Sequence, residues 1–211
     1  MKREEKVRQT RRRIMDHALS EFSACGYRAA SVNNMFDPKQ GISKGIIYHY
    51  FASKDELFLA CVEECFQSLK DYILDRYRPD GGAVGAEKNL TGYFGIRMQF
   101  FRDYPLYQRI FMEAVFMPPE HLRNEIMQRR QPMEQVNVAI LEELFSRIPL
   151  RGHLDKEDTA KLLIRFIHFM NLQSHETGTD LASIQRLEKK NQQILDIFLN
   201  GILERQGPVN D

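Results

Sequence analysis

Apolar residues recur at three- and four-residue intervals along nearly the whole chain. In the first such segment Ile14, Ala18, Phe22 and Cys25 follow this spacing, which places them on one face of an amphipathic helix. No segment alternates apolar and polar residues with the β-branched enrichment that marks a strand. We therefore expect an all-α protein with about nine helices.

Capping residues and helix breakers predict where these helices begin and end. Gly26 is expected to end the first helix, and Ser43 and Ser53 to begin the third and fourth. Glu56, three residues after Ser53, completes a capping-box pattern. Pro132 is expected to kink the seventh helix or to divide it. The nine expected helices cover residues 7–24, 31–36, 43–50, 53–77, 90–103, 106–116, 120–148, 155–175 and 181–205.

The composition excludes several broad classes of protein. The chain has 211 residues, of which 43% are hydrophobic and 28% charged, as in an ordinary globular protein. No long apolar run is free of charges, and no apolar segment follows the charged start as in a signal peptide. The chain has three cysteines, Cys25, Cys61 and Cys65. Because this number is odd, the sequence does not indicate a disulfide framework. We expect a cytoplasmic protein without a membrane partner.

Positive charge is concentrated at the start of the chain. Residues 1–54 carry eleven Lys and Arg against five Asp and Glu, whereas the rest carries nineteen against twenty-four. This asymmetry is typical of a protein whose first part binds a polyanion. A solvated basic arm is the alternative, because residues 2–13 supply most of the excess.

The segment SVNNMFDPKQGISKGIIYHYFASKDEL, residues 31–57, predicts two short helices joined by a turn at Gly41. After a longer first helix, this order is typical of a helix-turn-helix. The second short helix, capped by Ser43, carries polar and aromatic residues that suit DNA. Its expected DNA-contacting residues are Ser43, Lys44, Gly45, Ile46, Tyr48 and His49.

Each residue type on that helix suits a particular contact. Lys44 can reach a guanine edge or a phosphate, and Ile46 a thymine methyl group. Gly45 lets the backbone approach closely, while Tyr48 and His49 can donate hydrogen bonds to phosphates. Tyr48 could instead be a core aromatic. The spacing also predicts that Ile42, Ile47 and Phe51 pack toward the first helix.

These residues resemble the TetR family of bacterial regulators. The resemblance is carried by Phe22, by Gly26-Tyr27, by Ser31-Val32, by residues 41–51 and by the run Ser53-Lys54-Asp55-Glu56-Leu57. It spans roughly the first sixty residues. It implies that Ser31 and Asn33 begin the helix that crosses the DNA backbone, and that Lys54 anchors a phosphate. It also implies a homodimer, a small-molecule effector and, by family habit, repression.

The segment departs from the family pattern at one point. Between Ser31 and Gly41 the chain has one residue more, and it includes Pro38. We expect a longer turn there, which affects the assignment of Asn33 more than that of the later positions. The expected division by role is a DNA-binding domain over residues 1–54 and an effector-binding and dimerisation domain over residues 55–211.

The last two expected helices are apolar on more than one side. Such helices must be covered on both sides, either by a partner subunit or by deep burial within one chain. The resemblance favours the dimer, in which two recognition helices read a palindrome with half-sites ~34 Å apart. The expected interface residues are Phe166, Ile167, Met170, Ile194, Phe198 and Ile202.

Large, soft side chains are concentrated in the middle of the chain. Aromatic residues and methionines line many adaptable apolar sites, although they are more often simply core. The expected effector-pocket residues are Phe94, Met98, Phe101, Met112, Phe116 and His168.

No catalytic or cofactor motif is present: there is no phosphate-cradling glycine loop, zinc-ligand spacing or nucleophile elbow. We therefore expect neither an enzyme nor a cofactor. Cys61 and Cys65 lie one helical turn apart and could bind a metal or sense oxidation, but small buried cysteines are common, and no metal site is assigned. The alternative to a ligand-responsive repressor is an effector-less structural or cell-division protein with the same DNA-binding segment.

Overall fold

The protein is described by a computed structural model that covers residues 2–37, 39, 41–79, 86–147, 150–152 and 154–173, with single positions at 193, 196, 197, 200 and 201. These residues form seven α-helices and no strand, which confirms the all-α expectation. The helices are α1 (Lys2–Ala29), α2 (Lys44–Tyr50), α3 (Lys54–Arg76), α4 (Ala86–Asp103), α5 (Pro105–Phe116), α6 (Arg123–Ser146) and α7 (Lys156–Gln173). Two 3-10 helices cover Val32–Asn34 and Glu120–Leu122.

The expected count of about nine α-helices is wrong for the described residues, which contain seven. The predicted second helix is only the 3-10 turn Val32–Asn34. A proline disfavours the α conformation in the residue before it, so Pro38 works against helix at Asp37, and the main chain turns there instead. The predicted ninth helix, residues 181–205, lies outside the described residues except for five single positions.

Two other boundary predictions concern Gly26 and Pro132. Gly26 has φ 75° and ψ 167°, which interrupts the helical geometry inside α1 and confirms the predicted end near this residue. That conformation is adopted almost only by glycine. Pro132 lies inside α6, which runs unbroken from Arg123 to Ser146, so the alternative of two separate helices is wrong.

The chain forms two compact units. One comprises Met1–Arg76 with Gly95–Met133, and the other Tyr77–Phe94 with Glu134–Asp211. In the first unit α1, α3 and α5 pack against one another, and Phe22, Phe58 and Phe111 are fully buried. The expected division by role at residue 54 stays a prediction.

The second unit has its own buried polar contact. The hydroxyl of Tyr93 donates a hydrogen bond of 2.7 Å to Oδ1 of Asn137, and both side chains are buried. Leu141, Phe145 and Leu163 are also fully buried. None of the helices that the structure describes is long and apolar enough to cross a membrane.

Candidate nucleic-acid interface

The end of α1 is held by a carboxylate from α5. The main-chain N–H of Tyr27 donates to both carboxylate oxygens of Glu113, at 2.8 and 2.9 Å. A Cβ at Gly26 would lie 3.4 Å from each of those oxygens. Burial raises the pKa of Glu113, and the hydrogen bond from Tyr27, with nearby Arg109 and Lys54, opposes that rise.

The segment after α1 begins with a capped turn. The Ser31 side chain accepts a hydrogen bond of 3.3 Å from the N–H of Asn33, as an N-cap residue does. Oε1 of Glu21 in α1 accepts from the Ser31 N–H at 3.0 Å and from the Asn34 amide at 2.9 Å. Asn33 is exposed and Ser31 is half-buried, so Glu21 fixes this turn while Asn33 faces solvent.

The turn between Met35 and Ser43 is closed by its own main chain. The N–H of Ile42 donates to the carbonyl of Asp37 at 2.9 Å, and the carboxylate of Asp37 accepts from the N–H of Lys39 at 2.9 Å. Gly41 has φ 71°, a conformation that other residues rarely adopt. Met35 and Ile42 are fully buried on either side, so the turn is anchored at both ends.

α2 presents one buried residue and an exposed face. Ser43 begins the helix, and its hydroxyl accepts from the N–H of Ile46 at 3.2 Å, which confirms the predicted cap. Ile47 is 1% exposed. The predicted contact residues Lys44, Gly45, Tyr48 and His49 are all exposed, as is Ser43, and Ile46 is half-buried. The burial of Ile47 therefore orients the helix so that its polar and aromatic residues face solvent.

Two aromatic residues of this segment have different environments. Phe51 is 2% exposed, with the Arg11 guanidinium carbon 5.1 Å from its ring centre, which confirms that Phe51 belongs to the core. Tyr48 is 44% exposed, so the alternative of a core aromatic is wrong for it. Its hydroxyl is free to meet a partner outside the chain.

Lys54 lies where α3 begins and has a structural role that the sequence did not reveal. Its ammonium donates to the carbonyl oxygens of Tyr27 and Ala30 at 2.9 and 3.2 Å. It also lies 4.5 Å from the centre of the Tyr27 ring. Its expected role as a phosphate anchor stays a prediction.

The start of α3 has the predicted capping box. The hydroxyl of Ser53 accepts from the N–H of Glu56 at 3.1 Å, and the carboxylate of Glu56 accepts from the N–H of Ala52 at 2.6 Å. The reciprocal contact is thus to Ala52, one residue before the cap. This arrangement fixes the direction in which α3 leaves the turn that follows α2.

A cluster around Tyr27 joins three distant parts of the sequence. The Tyr27 hydroxyl donates to the carboxylate of Asp55 and lies 3.1 Å from Nε2 of His121. That nitrogen is 3.2 Å from the other oxygen of Asp55. Burial, followed by the hydrogen bond to Asp55, raises the pKa of Tyr27. His121 is 94 residues away from Tyr27, so no local pattern could have indicated this contact.

Arg12, in the basic arm, has partners both inside and outside its own helix. Its guanidinium pairs with Asp16 in α1 and with Glu64 in α3, each at 2.6 Å. The hydroxyl of Tyr107 in α5 donates to the same oxygen of Glu64. The hydrogen bond to Asp16, followed by Glu64, raises the pKa of Arg12. Arg12 therefore links α1 to α3 in the folded protein.

The predicted effector-pocket residues are mostly core in the described structure. Phe94, Phe101 and Met112 are buried, and Met98 and Phe116 are half-buried. The ring of Phe101 lies 5.0 Å from that of Phe111. The side chain of His168 lies outside the described residues, and the pocket assignment stays a prediction.

The predicted dimer residues fall largely beyond the described part of the chain. Phe166 is half-buried. The side chains of Ile167, Met170, Ile194, Phe198 and Ile202 lie outside the described residues. On the same helix as Phe166, and one turn before it, Leu162 is 56% exposed.

The cysteines do not form a reactive pair. Cys61 and Cys65 are fully buried in α3 and Cys25 is exposed. Desolvation raises the pKa of both buried thiols, which keeps them protonated. Within the described residues no three potential metal ligands lie together.

Two family models match the chain. The model of bacterial regulatory proteins of the TetR family matches residues 14–61, which include α2 and its caps. The model of the tetracyclin repressor-like C-terminal domain matches residues 85–203. The second match alone covers more than half of the chain.

Individual relatives agree with these matches. The biofilm operon icaADBC negative transcriptional regulator IcaR of Staphylococcus epidermidis is 25% identical over 192 residues, covering 89% of this chain and 97% of that protein. The transcriptional regulator BetI of Klebsiella pneumoniae is 33% identical over 179 residues, covering 74% and 91%. A crystal structure of a TetR family transcriptional regulator from Chloroflexus aurantiacus has the same fold, with a TM-score of 0.64, 20% identity and coverage of 94% and 95%.

These relatives are regulators of transcription, which confirms the expectation that the chain is not an enzyme. The exposed face of α2 and the capped turns on either side of it lie inside the first family match. The chain belongs to the TetR family of bacterial regulatory proteins and is a DNA-binding transcriptional regulator.

Proposed function

We propose that the protein is a homodimeric repressor that binds a palindromic operator and is released from it by a small, largely apolar effector. The observation that carries the DNA-binding part is the orientation of α2. Ile47 is buried, so Lys44, Tyr48 and His49 are exposed together. A short helix with this face outward suits the major groove of B-DNA.

The proposed contacts divide into those that read sequence and those that position the protein. Lys44 and Ile46, near the N-terminal end of α2, reach base edges, and Gly45 lets the main chain come close. Tyr48 and His49 donate to phosphates, as does Asn33 from the neighbouring turn. Phosphate contacts set the register, whereas base contacts give specificity.

Lys54 combines a structural and a DNA-binding role. Its ammonium has three N–H donors, and two of them serve the carbonyls of Tyr27 and Ala30. The third can meet a phosphate at the start of α3, where the unpaired main-chain N–H groups of a helix also favour an anion. The phosphate would then be held by a group that is already fixed in place.

Homodimerisation is supported by family membership and by the apolar character of α7. Leu162 is exposed, and Phe166, one turn further on, is half-buried. Such a pair on an amphipathic helix is suited to contact with a second copy of the chain. The proposed interface continues through Ile167, Met170, Ile194, Phe198 and Ile202.

The hydrogen bond between Glu113 and Tyr27 can transmit the effect of effector binding to the DNA-binding segment. Glu113 belongs to α5, which also carries the buried pocket candidate Met112. An effector that displaces α5 would pull on the end of α1 through Tyr27 and thereby tilt α2. Coupling of this kind requires that the effector bind one arrangement better than the other.

Selection of duplexes from a randomised pool, followed by fluorescence anisotropy and sedimentation, tests this proposal. We expect the selected duplexes to contain a palindrome and to bind two chains each. Tyr48→Ala should weaken binding about tenfold without changing helix content, since one phosphate contact is lost. Tyr104→Phe, a tyrosine substitution away from α2, serves as the control. Selected duplexes without a palindrome, or bound by a single chain, would contradict the dimeric part.

A further inference from the structure

An open cleft of about 1030 Å³ lies within the compact unit that contains α1 and α2. Its walls come from α1, from the second half of α3 and from the junction of α4 with α5. The volume is at the upper end of the range of roughly 300–1,000 Å³ that is usual for small-molecule sites. None of the residues proposed above to contact DNA, the apolar effector or a second subunit lines this cleft.

The cleft is acidic, although the chain as a whole has a net charge of +1. Five carboxylates line it against two guanidinium groups, a local net charge of −3. The carboxylates belong to Asp16, Glu64, Asp71, Asp75 and Asp103. A concave surface with this excess attracts cations and repels anions.

One wall of the cleft is aromatic. The ring centres of Phe100 and Tyr107 are 5.9 Å apart with nearly parallel planes. Tyr104 lies 5.2 Å from Phe100 and 6.2 Å from Tyr72. Tyr104 is 48% exposed, whereas the other three rings are buried. Aromatic faces bind organic cations, most strongly where the cation has lost part of its water.

The cleft already binds one cation that belongs to the chain itself. The guanidinium carbon of Arg76 lies 3.6 Å from the centre of the Tyr72 ring. The hydroxyl of that tyrosine donates to Asp103, and the guanidinium group pairs with Asp75 at 3.1 Å, so this cation has both a ring and a carboxylate as partners. On the remaining wall Tyr104 is the exposed ring, and it directly follows Asp103 in the chain.

We propose that this cleft binds an organic cation with apolar or aromatic substituents, of the quaternary ammonium or phosphonium class. The charge of the ligand lies among the carboxylates, and its apolar groups pack on the ring wall at Tyr104. A small inorganic cation would leave the ring wall unused, and a neutral apolar molecule would leave the carboxylates unused.

Binding of the ligand can affect the DNA-binding segment through Arg12. The pairing of Arg12 with Glu64 joins α1 to α3 at the edge of the cleft, and Tyr107 shares the same carboxylate. A bound cation competes with Arg12 for Glu64 and loosens α1, which precedes α2. The cation therefore weakens operator binding. This consequence rests on the proposed function, whereas the binding itself does not.

Isothermal titration of the full chain with tetraphenylphosphonium tests the binding step. Tetraphenylborate, which has the same shape and the opposite charge, is the matched control ligand. We expect saturable binding of one phosphonium per chain and at least tenfold weaker binding of the borate.

Tyr104→Ala should weaken phosphonium binding about fivefold and Tyr104→Phe should retain it, because the ring face is the contact. The double variant Asp71→Asn with Asp75→Asn should weaken it about tenfold, whereas Glu125→Gln, on α6, should not change it.

Equal affinity for the two ions, or affinity that none of the cleft variants alters, would overturn the proposed site. A second titration, with operator DNA, separates this inference from the proposed function. Phosphonium should weaken DNA binding of the wild type and not that of Tyr104→Ala; an unchanged wild type would overturn the coupling through Arg12. DNA binding without phosphonium binding would refute the inference alone. Phosphonium binding with the expected variant pattern, in a chain that binds no operator, would refute the proposed function alone.

Discussion

The ammonium of Lys54 donates a hydrogen bond of 2.9 Å to the carbonyl of Tyr27 and lies 4.5 Å from the centre of its ring. This contact ties the start of α3 to the end of α1, on either side of the turn and helix that are proposed to contact DNA. A residue expected only to anchor a phosphate thus also holds the DNA-binding segment in place.

Replacing Lys54 with alanine should therefore affect both stability and DNA binding. The loss of two hydrogen bonds from a charged donor should lower the free energy of unfolding by about 1.5–3 kcal/mol. Lys44→Ala is the matched control, because Lys44 is exposed on α2 and its loss should change stability by less than about 0.5 kcal/mol. Urea denaturation of both variants checks this. Equal stability of the two variants would show that the contacts of Lys54 are not structurally important.

Gly26→Ala should destabilise the protein because the residue has φ 75° and ψ 167°. Side chains in this conformation cost about 1–3 kcal/mol. In a chain of this size that lowers the melting temperature by roughly 2–4 °C for each kcal/mol.

Gly92→Ala provides the control for Gly26. Gly92 lies in α4, and a Cβ added there would meet no other part of the protein within 4 Å, so alanine should stabilise the helix by up to about 1 kcal/mol. Thermal unfolding followed by circular dichroism should give shifts of opposite sign. A neutral Gly26→Ala would contradict the described conformation.

Glu113 should make stability depend on pH. Its pKa is raised above the ordinary value of 4.5, chiefly by burial. A raised folded-state pKa gives stability that is complete below pH 4.5 and is lost as the pH rises through the folded value. The stability of the wild type relative to Glu113→Gln should thus fall as the pH rises above 4.5. Urea unfolding across this range measures it, with Glu125→Gln as the control at an exposed carboxylate, and a relative stability that rises would contradict the burial of Glu113.

Only one thiol should react in the folded protein. Cys25 is exposed, whereas Cys61 and Cys65 are buried with raised pKa values, so the last two lack the thiolate that reacts. Titration with a disulfide reagent should show one fast thiol per native chain and three after denaturation. Cys25→Ser should remove the fast thiol. Rapid reaction of either remaining cysteine would support the redox role that burial argues against.

The central part of the DNA-binding segment, residues 31–57, could be predicted from the sequence because its contacts join residues that are close together in the chain. The caps at Ser43 and Ser53 and the burial of Ile47 and Phe51 depend on residues within a few positions of one another. Such contacts leave a spacing in the sequence that can be recognised. The exposure of Tyr48 follows from the same spacing once Ile47 is buried.

The remaining features depend on distant partners or on competing local preferences. Glu113 meets Tyr27 across 86 residues, and His121 meets it across 94, so neither contact leaves a pattern in the sequence. The predicted helix after Ser31 is shortened to a 3-10 turn because the Asp37-Pro38 pair favours a turn over a further helical residue. The helical periodicity of the sequence does not show whether the helix or the turn is favoured there.

The most direct test of the central claim is the salt dependence of DNA binding for the wild type, Lys44→Ala and Tyr48→Ala, with Lys161→Ala on α7 as the control. We expect affinity for a selected duplex to fall steeply with salt. Lys44→Ala should lower the affinity for the selected duplex by about 1–3 kcal/mol, as the loss of a base contact does, and should change the slope of log K against log salt little. Tyr48→Ala should weaken binding without changing that slope, and Lys161→Ala should match the wild type. If the wild type binds the selected duplex no more tightly than random DNA, or if neither α2 variant changes its affinity, then α2 is not the surface that contacts DNA.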